Sequence, residues 1–346
     1  MLADDLPPQT FDLRSFFQAN DPDHASKLVE GKHVDVIMQA YGFLLARNFD
    51  GMFEHWHDDS EFQILGSALT PFTGICRGKS LIKTAVSRNF GQLADSVPKI
   101  EHVRAQGDWV AVQAVENGTL APNKTPYRIR WLHLYRFRED RIVALRQIID
   151  STNITAGSGS VQLPGTARPY PLVSLGARGE AWGRASSVVN AAAQEGDYRF
   201  NLKALEQQNA NKWFQWTNDL RTKNRKQLEA YLVPDARWEI RGDEDFIEHA
   251  IAFGKEQVLD ELFASPFDLT SPSLQDLFMI CQGNTILTCQ RETGHCPASN
   301  RTFETFSVQT IVFADNKIVS IEKWYDGWPI VVAWLMASSR EGTSPA

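Results

Sequence analysis

The chain has 346 residues and a hydrophobic content of 43%, which suits two domains of ordinary size, each with a buried core. Its net charge of −7, without a basic stripe, argues against a nucleic-acid partner. No stretch approaches the roughly 18–20 apolar residues that cross a bilayer. The acidic start lacks a secretory pattern, and the four cysteines lack CxxC spacing, so we expect a cytoplasmic protein with reduced thiols.

The predicted elements of the first half begin after a polar N-terminal extension, residues 1–33. Apolar residues recur at helical spacing from Val34 to Leu45 and predict a first helix. The run Asn48–Gly51 ends it, and a second short helix is predicted around Met52–Trp56. The later elements, in chain order, are a strand at Glu61–Leu65, a helix at Lys79–Asn89, and strands at Ile100–Arg104, Trp109–Glu116, Tyr127–Arg138 and Ile142–Ile149.

A segment rich in Gly, Ser and Pro then separates two predicted domains. We predict domain 1 at 34–155, the linker at 156–200 and domain 2 at 201–340. The second half repeats the order of elements: helices at Leu205–Arg221, Lys226–Leu232 and Lys255–Phe263, and strands at Arg237–Arg241, Leu274–Ile280, Thr285–Arg291, Thr302–Phe313 and Ile318–Tyr325.

The two halves also repeat residue by residue at a separation of 176 positions. Four glycines coincide at this offset, where composition alone predicts roughly 0.7. A period this long indicates two copies of one domain, because solenoid units run roughly 20–50 residues. The coinciding pairs include Gly66 and Gly242, Gly78 and Gly254, Gly107 and Gly283, Gly118 and Gly294, Asn48 and Asn224, Glu116 and Glu292, and Asp150 and Asp326.

Particular runs resemble a known family. The run from Tyr41 to Phe62, YGFLLARNFDGMFEHWHDDSEF, resembles the opening of a SnoaL-like domain of the ketosteroid isomerase and nuclear transport factor two superfamily. The run RFREDRIVALR, 136–146, resembles its closing hairpin, and WEIRG at 238–242 and ADNKIVSI at 314–321 are the matching runs of the second copy.

The resemblance implies an α+β fold of two cone-shaped domains, each a strongly curved antiparallel sheet wrapped around three helices. The mouth of each cone would lead to an apolar pocket. Such domains pair sheet to sheet, which implies an intramolecular pseudo-dimer of the two copies, with a homodimer as a further possibility. No cofactor is expected.

Strand alternation assigns the pocket wall of domain 1. One face of the third long strand carries Tyr127, Ile129, Trp131, His133, Tyr135 and Phe137. The resemblance places His133 where isomerases hold an acid that hydrogen-bonds the substrate oxygen. A histidine there can donate to an oxyanion or shuttle a proton with a pKa near ~6.5. The alternative is a core histidine that is satisfied by Tyr41.

The other predicted site residues of domain 1 are Tyr41, near the family's phenol, and Gln147, where hydrolases and cyclases of the superfamily carry an acid. Ile64 stands where isomerases carry their base. Both family carboxylates are therefore missing, and His133 is expected to be the only inward titratable group. Trp131, Tyr135, Ile64 and Phe62 are predicted to contact the substrate.

In copy two, Ile240, Gln309 and Lys323 replace Ile64, His133 and Gln147. Lys323 in an apolar pocket would have a lowered pKa and act as a base, a nucleophile or an anion clamp, and with Gln309 it is a predicted substrate contact. The alternative is that Lys323 forms a salt bridge or points into solvent.

Asp150 and Asp326 are predicted to face outward, towards a turn or interface. No metal site is predicted, because His55 and His57 diverge on a helix.

These observations predict a cofactor-independent proton-transfer enzyme, an isomerase, cyclase or dehydratase. Its substrate would be a small apolar metabolite, such as a polyketide or terpenoid intermediate. The missing carboxylates favour the alternative, a non-catalytic module that binds a small molecule or supports an assembly.

Overall fold

The computed structural model describes residues 28–65, 74–121, 124–150, 204–241, 250–264, 275–296 and 300–327. The described part of the first half contains three helices and six strands. They are α1 (Leu28–Leu45), α2 (Phe49–Glu54), β1 (Trp56–Leu65), β2 (Gly74–Arg77), α3 (Lys79–Phe90), β3 (Leu93–Gln106), β4 (Trp109–Leu120), β5 (Pro126–Arg138) and β6 (Arg141–Ile149).

The described part of the second half repeats this order element by element. It contains α4 (Ala204–Arg221), α5 (Arg225–Tyr231), β7 (Leu232–Ile240), β8 (Ala250–Phe253), α6 (Lys255–Ala264), β9 (Gln275–Gln282), β10 (Thr285–Cys296), β11 (Arg301–Ala314) and β12 (Lys317–Tyr325). The predicted linker lies outside the described residues, as do Gly66 and Gly242.

The strands form two separate six-stranded sheets with the same topology. The orders are β2-β1-β6-β5-β4-β3 and β8-β7-β12-β11-β10-β9. The sheets are mixed and not wholly antiparallel, because β1 runs parallel to β6 and β7 runs parallel to β12. The chain is therefore α+β with two domains, as the repeat predicts.

Three differences from the predicted elements have local causes. Helix α1 begins at Leu28, inside the segment that was expected to be an extension. Strand β3 begins at Leu93, earlier than the predicted start at Ile100, and passes through Pro98. The proline is tolerated because β3 is an edge strand. The strands β2 and β8 were not predicted, since four residues are too few to show alternation.

The local geometry of the two domains repeats at the offset seen in the sequence. Asn48 and Asn224 each cap a helix, and the side chain of each accepts a backbone N–H three residues later. Gly78 and Gly254 each precede a helix with φ of +88° and +81°, a conformation that favours glycine. Capping side chains and left-handed glycines thus occupy equivalent places in both copies.

A β-bulge changes which residues of β6 face the core. The register between β5 and β6 shifts at Arg136 and Phe137, so that Phe137 pairs with Ile142. Ile142 is fully buried in the core, whereas the next residue, Val143, is only half-buried. An equivalent shift at Phe313 lies between β11 and β12 of domain 2.

Each sheet packs one face, here called the inner face, against the three helices of its own domain. The outer faces of both sheets share a third cluster of buried residues. Its members are Leu65, Ala111, Leu132, Leu134, Ile148, Phe278, Ile280, Leu287, Cys289, Phe306, Val308 and Trp324. At the edge of this cluster the side chain of Asp150 accepts the backbone N–H of Gly327 at 3.2 Å, which confirms the predicted interface position of Asp150.

Among the described residues, we find no helix that is long and apolar enough to span a membrane.

Candidate functional site

Strand register brings the predicted site residues of domain 1 into adjacent rows across the inner face. His133 on β5 pairs with Gln147 on β6, and Gln147 pairs with Ile64 on β1. Tyr135 and Phe62 lie in the next row, where both pair with Leu145 of β6. All of these side chains are buried except that of Gln147, which is half-buried.

Two phenols from different elements converge on His133. The hydroxyl of Tyr41, on α1, lies 2.7 Å from Nδ1 of His133. The hydroxyl of Tyr135 donates to that of Tyr41 at 3.1 Å and lies 3.3 Å from the same Nδ1. Helix α1 and strand β5 thus hold the imidazole ring from two directions.

We assign the tautomer of His133 from the groups around Nδ1. Both phenols near Nδ1 can donate a proton to it, so we assign Nδ1 as the acceptor. A neutral imidazole that accepts at Nδ1 carries its proton on Nε2. The side chain therefore presents an Nε2–H donor.

Nε2 of His133 is buried and has no hydrogen-bond partner among the described residues. The whole residue is only 9% exposed, so protein atoms enclose the ring almost completely. An unmet buried donor costs about 1–3 kcal/mol. Its presence on the inner face marks a place where an acceptor atom would be stabilising.

Trp131 covers one face of the imidazole. The rings of Trp131 and His133 are stacked, with centroids 4.0 Å apart and planes inclined by 20°. Tyr41 lies beyond, with its ring centroid 5.9 Å from that of Trp131. Aromatic surfaces therefore surround His133, and among the described residues the polar partners of its ring are the two phenols.

Burial keeps all three members of this group neutral. Desolvation lowers the pKa of His133 to about 3. Desolvation, together with the neighbouring Tyr135, raises the pKa of Tyr41 well above its usual value, and desolvation likewise raises the pKa of Tyr135. The expected ionisation of His133 near 6.5 was therefore wrong, and His133 is uncharged at neutral pH.

Glu116 is a further inward titratable group that the sequence analysis missed. It follows Val112 and Ala114 on the inner face of β4, and its carboxylate accepts hydrogen bonds from three side chains. The donors are Ser96 at 2.8 Å, Tyr127 at 2.6 Å and Trp131 Nε1 at 3.0 Å. Alternation along β4 would have found Glu116, because the strand has no bulge against β5.

Gly118 makes room for one of these donors. A Cβ atom at Gly118 would lie 2.5 Å from the hydroxyl of Tyr127 and 2.6 Å from the backbone oxygen of Asp95. The glycine therefore lets the Tyr127 ring lie across β4 and reach Glu116. Gly294 makes the same room for the ring of Phe303, which has no hydroxyl.

The same position in domain 2 carries a different arrangement. Glu292 is fully buried and accepts from Ser307 and from Lys323, whose Nζ lies 2.7 Å from Oε1. Ser307 stands where domain 1 has Trp131. Next to this ion pair, the amide of Gln309 donates to that of Gln290 at 2.5 Å.

The pKa of Lys323 is shifted in the direction opposite to the one expected. Desolvation alone would lower it, but Glu292 and Tyr325 outweigh burial, so the pKa of Lys323 is raised. The ammonium is thus held in an ion pair and is neither a base nor a nucleophile. Lys323 and Gln309 lie together on the inner face of domain 2, on a different sheet from His133.

Within the described ranges, we find no group of three His, Cys, Asp or Glu side chains arranged to hold a metal ion.

Comparison with known proteins finds a family match for the first domain. The family model of the SnoaL-like domain matches residues 37–145. No curated protein matches the chain. Similar solved structures include an NTF2-like protein of unknown function from Burkholderia pseudomallei, with 14% identity, 36% of this chain and 95% of that chain covered, and a TM-score of 0.34. An NTF2-like protein from Burkholderia xenovorans has 17% identity, coverage of 37% and 96%, and a TM-score of 0.32.

An LEH-like epoxide hydrolase from M. tuberculosis has 17% identity, coverage of 37% and 90%, and a TM-score of 0.32. Each of these matches spans about one domain of the present chain. The matched residues 37–145 run from α1 into β6, through the whole set of elements that carries Tyr41, Glu116 and His133. The chain therefore contains a SnoaL-like domain in its first half, followed in tandem by a second domain of the same α+β architecture.

Proposed function

We propose that domain 1 is a cofactor-independent enzyme site for a small apolar metabolite that carries a carbonyl oxygen. The reaction belongs to the isomerase, cyclase or dehydratase kind, in which negative charge develops on that oxygen. The observation that carries the proposal is the unpartnered Nε2–H of His133 on an aromatic inner face.

The role of His133 in this proposal is that of a fixed, neutral hydrogen-bond donor. Tyr41 and Tyr135 hold its Nδ1, so Nε2–H keeps one direction without further reorganisation. Donors that are already oriented in an apolar surrounding stabilise a developing oxyanion more than donors in water. A ligand must displace neighbouring side chains to reach Nε2, since the atom is enclosed. Gln147, Ile64 and Phe62 would contact the rest of the substrate.

A second candidate is a non-catalytic module that binds a small molecule or supports an assembly. It is favoured by Gln147 and Ile64, which leave both family positions without a carboxylate. Under this alternative the same donor would fix a ligand oxygen without any turnover.

Labelling of the histidine nitrogens tests the site directly. The ¹⁵N resonance of His133 Nε2 should move when 2-tetralone, a neutral ketone, is titrated into the full-length protein. The same amount of 2-naphthoate, a carboxylate of similar size, should leave it in place, because an anion loses its hydration on the apolar face. His57→Gln, a change at a partly exposed histidine, should keep the response. A titration without any change at His133 would refute the proposed site.

We further propose that the two domains act as an intramolecular pseudo-dimer in the cytoplasm, with neither nucleic acid nor membrane as a partner. The cluster that both sheets share supports this arrangement. A homodimer of the whole chain is a separate possibility, which sedimentation at micromolar concentration would reveal.

A further inference from the structure

We propose that Glu116 is the proton acceptor of the domain 1 site, working opposite the Nε2–H donor of His133. This rests on the proposed function, and it supplies the base that the two family positions lack. It would make domain 1 an acid–base site built on β4 and β5, with no carboxylate at the family positions, Ile64 and Gln147.

The contacts of Glu116 leave one acceptor direction free. A carboxylate offers about four lone-pair directions, two on each oxygen. Among the described residues, Oε1 accepts from Ser96 and from Tyr127, while Oε2 accepts from Trp131 alone. Three donors therefore fix the carboxylate, and one direction on Oε2 remains for a substrate proton.

The neutral surroundings of Glu116 distinguish it from its counterpart in domain 2. Its three hydrogen-bond donors carry no charge, and among the described residues no cationic side chain forms a salt bridge with it. Glu292 instead lies against the ammonium of Lys323 and is fully enclosed. Glu116 is half-buried, so part of the residue remains exposed.

Trp131 connects the two proposed catalytic groups. Its Nε1 donates to Glu116 Oε2 at 3.0 Å, and its ring stacks on His133 at 4.0 Å. One indole and one hydrogen bond therefore separate the carboxylate from the imidazole.

The proposed step balances without any co-reactant. The bond between a substrate carbon and its proton breaks, and the proton forms a bond to Oε2 of Glu116. The electron pair of the broken bond becomes a carbon–carbon double bond, and the carbonyl π pair moves onto oxygen, which accepts the hydrogen bond from His133. Where the substrate also carries a carbon–carbon double bond conjugated with this enolate, return of the proton from Glu116 to the far carbon of the conjugated system completes an isomerisation.

Exchange of the α-protons of 2-tetralone with D₂O, followed by proton NMR on the full-length protein, tests this step. We expect the protein to accelerate exchange, and Glu116→Gln to reduce the acceleration by roughly 100-fold, the scale for a lost base. Formate should restore part of the rate to Glu116→Ala, which a purely structural role would not allow. Glu54→Gln, at an exposed carboxylate of the same domain, should leave exchange unchanged.

The outcomes separate the two proposals. An acceleration that depends on His133 but survives Glu116→Gln would overturn the role of Glu116 and leave the proposed site intact. The ¹³C resonance of the Glu116 carboxylate gives a second measurement if a variant fails to fold. No response of that resonance to 2-tetralone, while His133 Nε2 responds, would also overturn the role of Glu116. No exchange, and no response at either residue, would overturn the proposed function and this inference with it.

Discussion

Replacement of Lys323 by methionine should strongly destabilise domain 2. The side chain of Lys323 is only 14% exposed and its partner Glu292 is fully buried, so the variant leaves a carboxylate without a counter-charge inside the protein. Breaking one side of a buried pair costs about 3–5 kcal/mol. For a domain of this size, that loss corresponds to roughly 12–20 °C in the midpoint of thermal unfolding.

The matched control is Lys255→Met in the same domain. Lys255 also pairs with a glutamate, but both side chains are more than a third exposed, so the expected cost is below about 1 kcal/mol. The double variant Glu292→Gln/Lys323→Met removes both charges, keeps an acceptor for Ser307, and should regain most of the lost stability.

Urea unfolding of the wild-type protein, the two single variants and the double variant measures these differences. A Lys323→Met cost no larger than that of Lys255→Met would refute the buried ion pair.

Three further outcomes are expected. Because burial lowers the pKa of His133 to about 3, below the unfolded value near 6.5, folding stability should fall as the pH drops from about 6.5 towards 3, and His133→Gln should remove that part of the decrease in acid-unfolding curves. Gly118→Ala should cost roughly 1–3 kcal/mol in urea because the new methyl group meets Tyr127, whereas Gly42→Ala, with nothing within 4 Å, should stabilise α1 by about 0.5–1 kcal/mol. Leu134→Asp places a charge in the cluster that both sheets share and should cost more than about 3 kcal/mol, while Leu81→Asp, at an exposed position, should change stability by less than about 0.5 kcal/mol.

The fold could be predicted from the sequence because the patterns that indicate its helices and strands are local and occur in both halves of the chain. Helical spacing and strand alternation located most elements, and the alternation of β5 assigned Trp131, His133 and Tyr135 to the inner face, where they lie. The bulge before Ile142 could not be predicted, since it depends on pairing between β5 and β6. The parallel pairing of β1 with β6 is likewise a long-range property of the chain.

The electrostatic state of the site was harder to predict than its position. The direction of the pKa shift at His133 depends on how completely three other aromatic side chains enclose it. The raised pKa of Lys323 depends on Glu292, which lies on a different strand and had been noted only as a repeat position. Sequence patterns identify which face a side chain occupies, while the charge it carries is set by contacts across strands.

The retained glutamate pair explains why only one copy keeps an uncharged aromatic site. In domain 2, the side chain of Lys323 reaches Glu292 next to the small residue Ser307. In domain 1, Trp131 stands at the position of Ser307, donates to Glu116 itself and stacks on His133. An ammonium at position 147 would therefore have to displace the indole to pair with Glu116. The residue at this position thus determines the partner of the equivalent glutamate. With Trp131, Glu116 accepts from neutral donors, whereas with Ser307, Glu292 forms an ion pair.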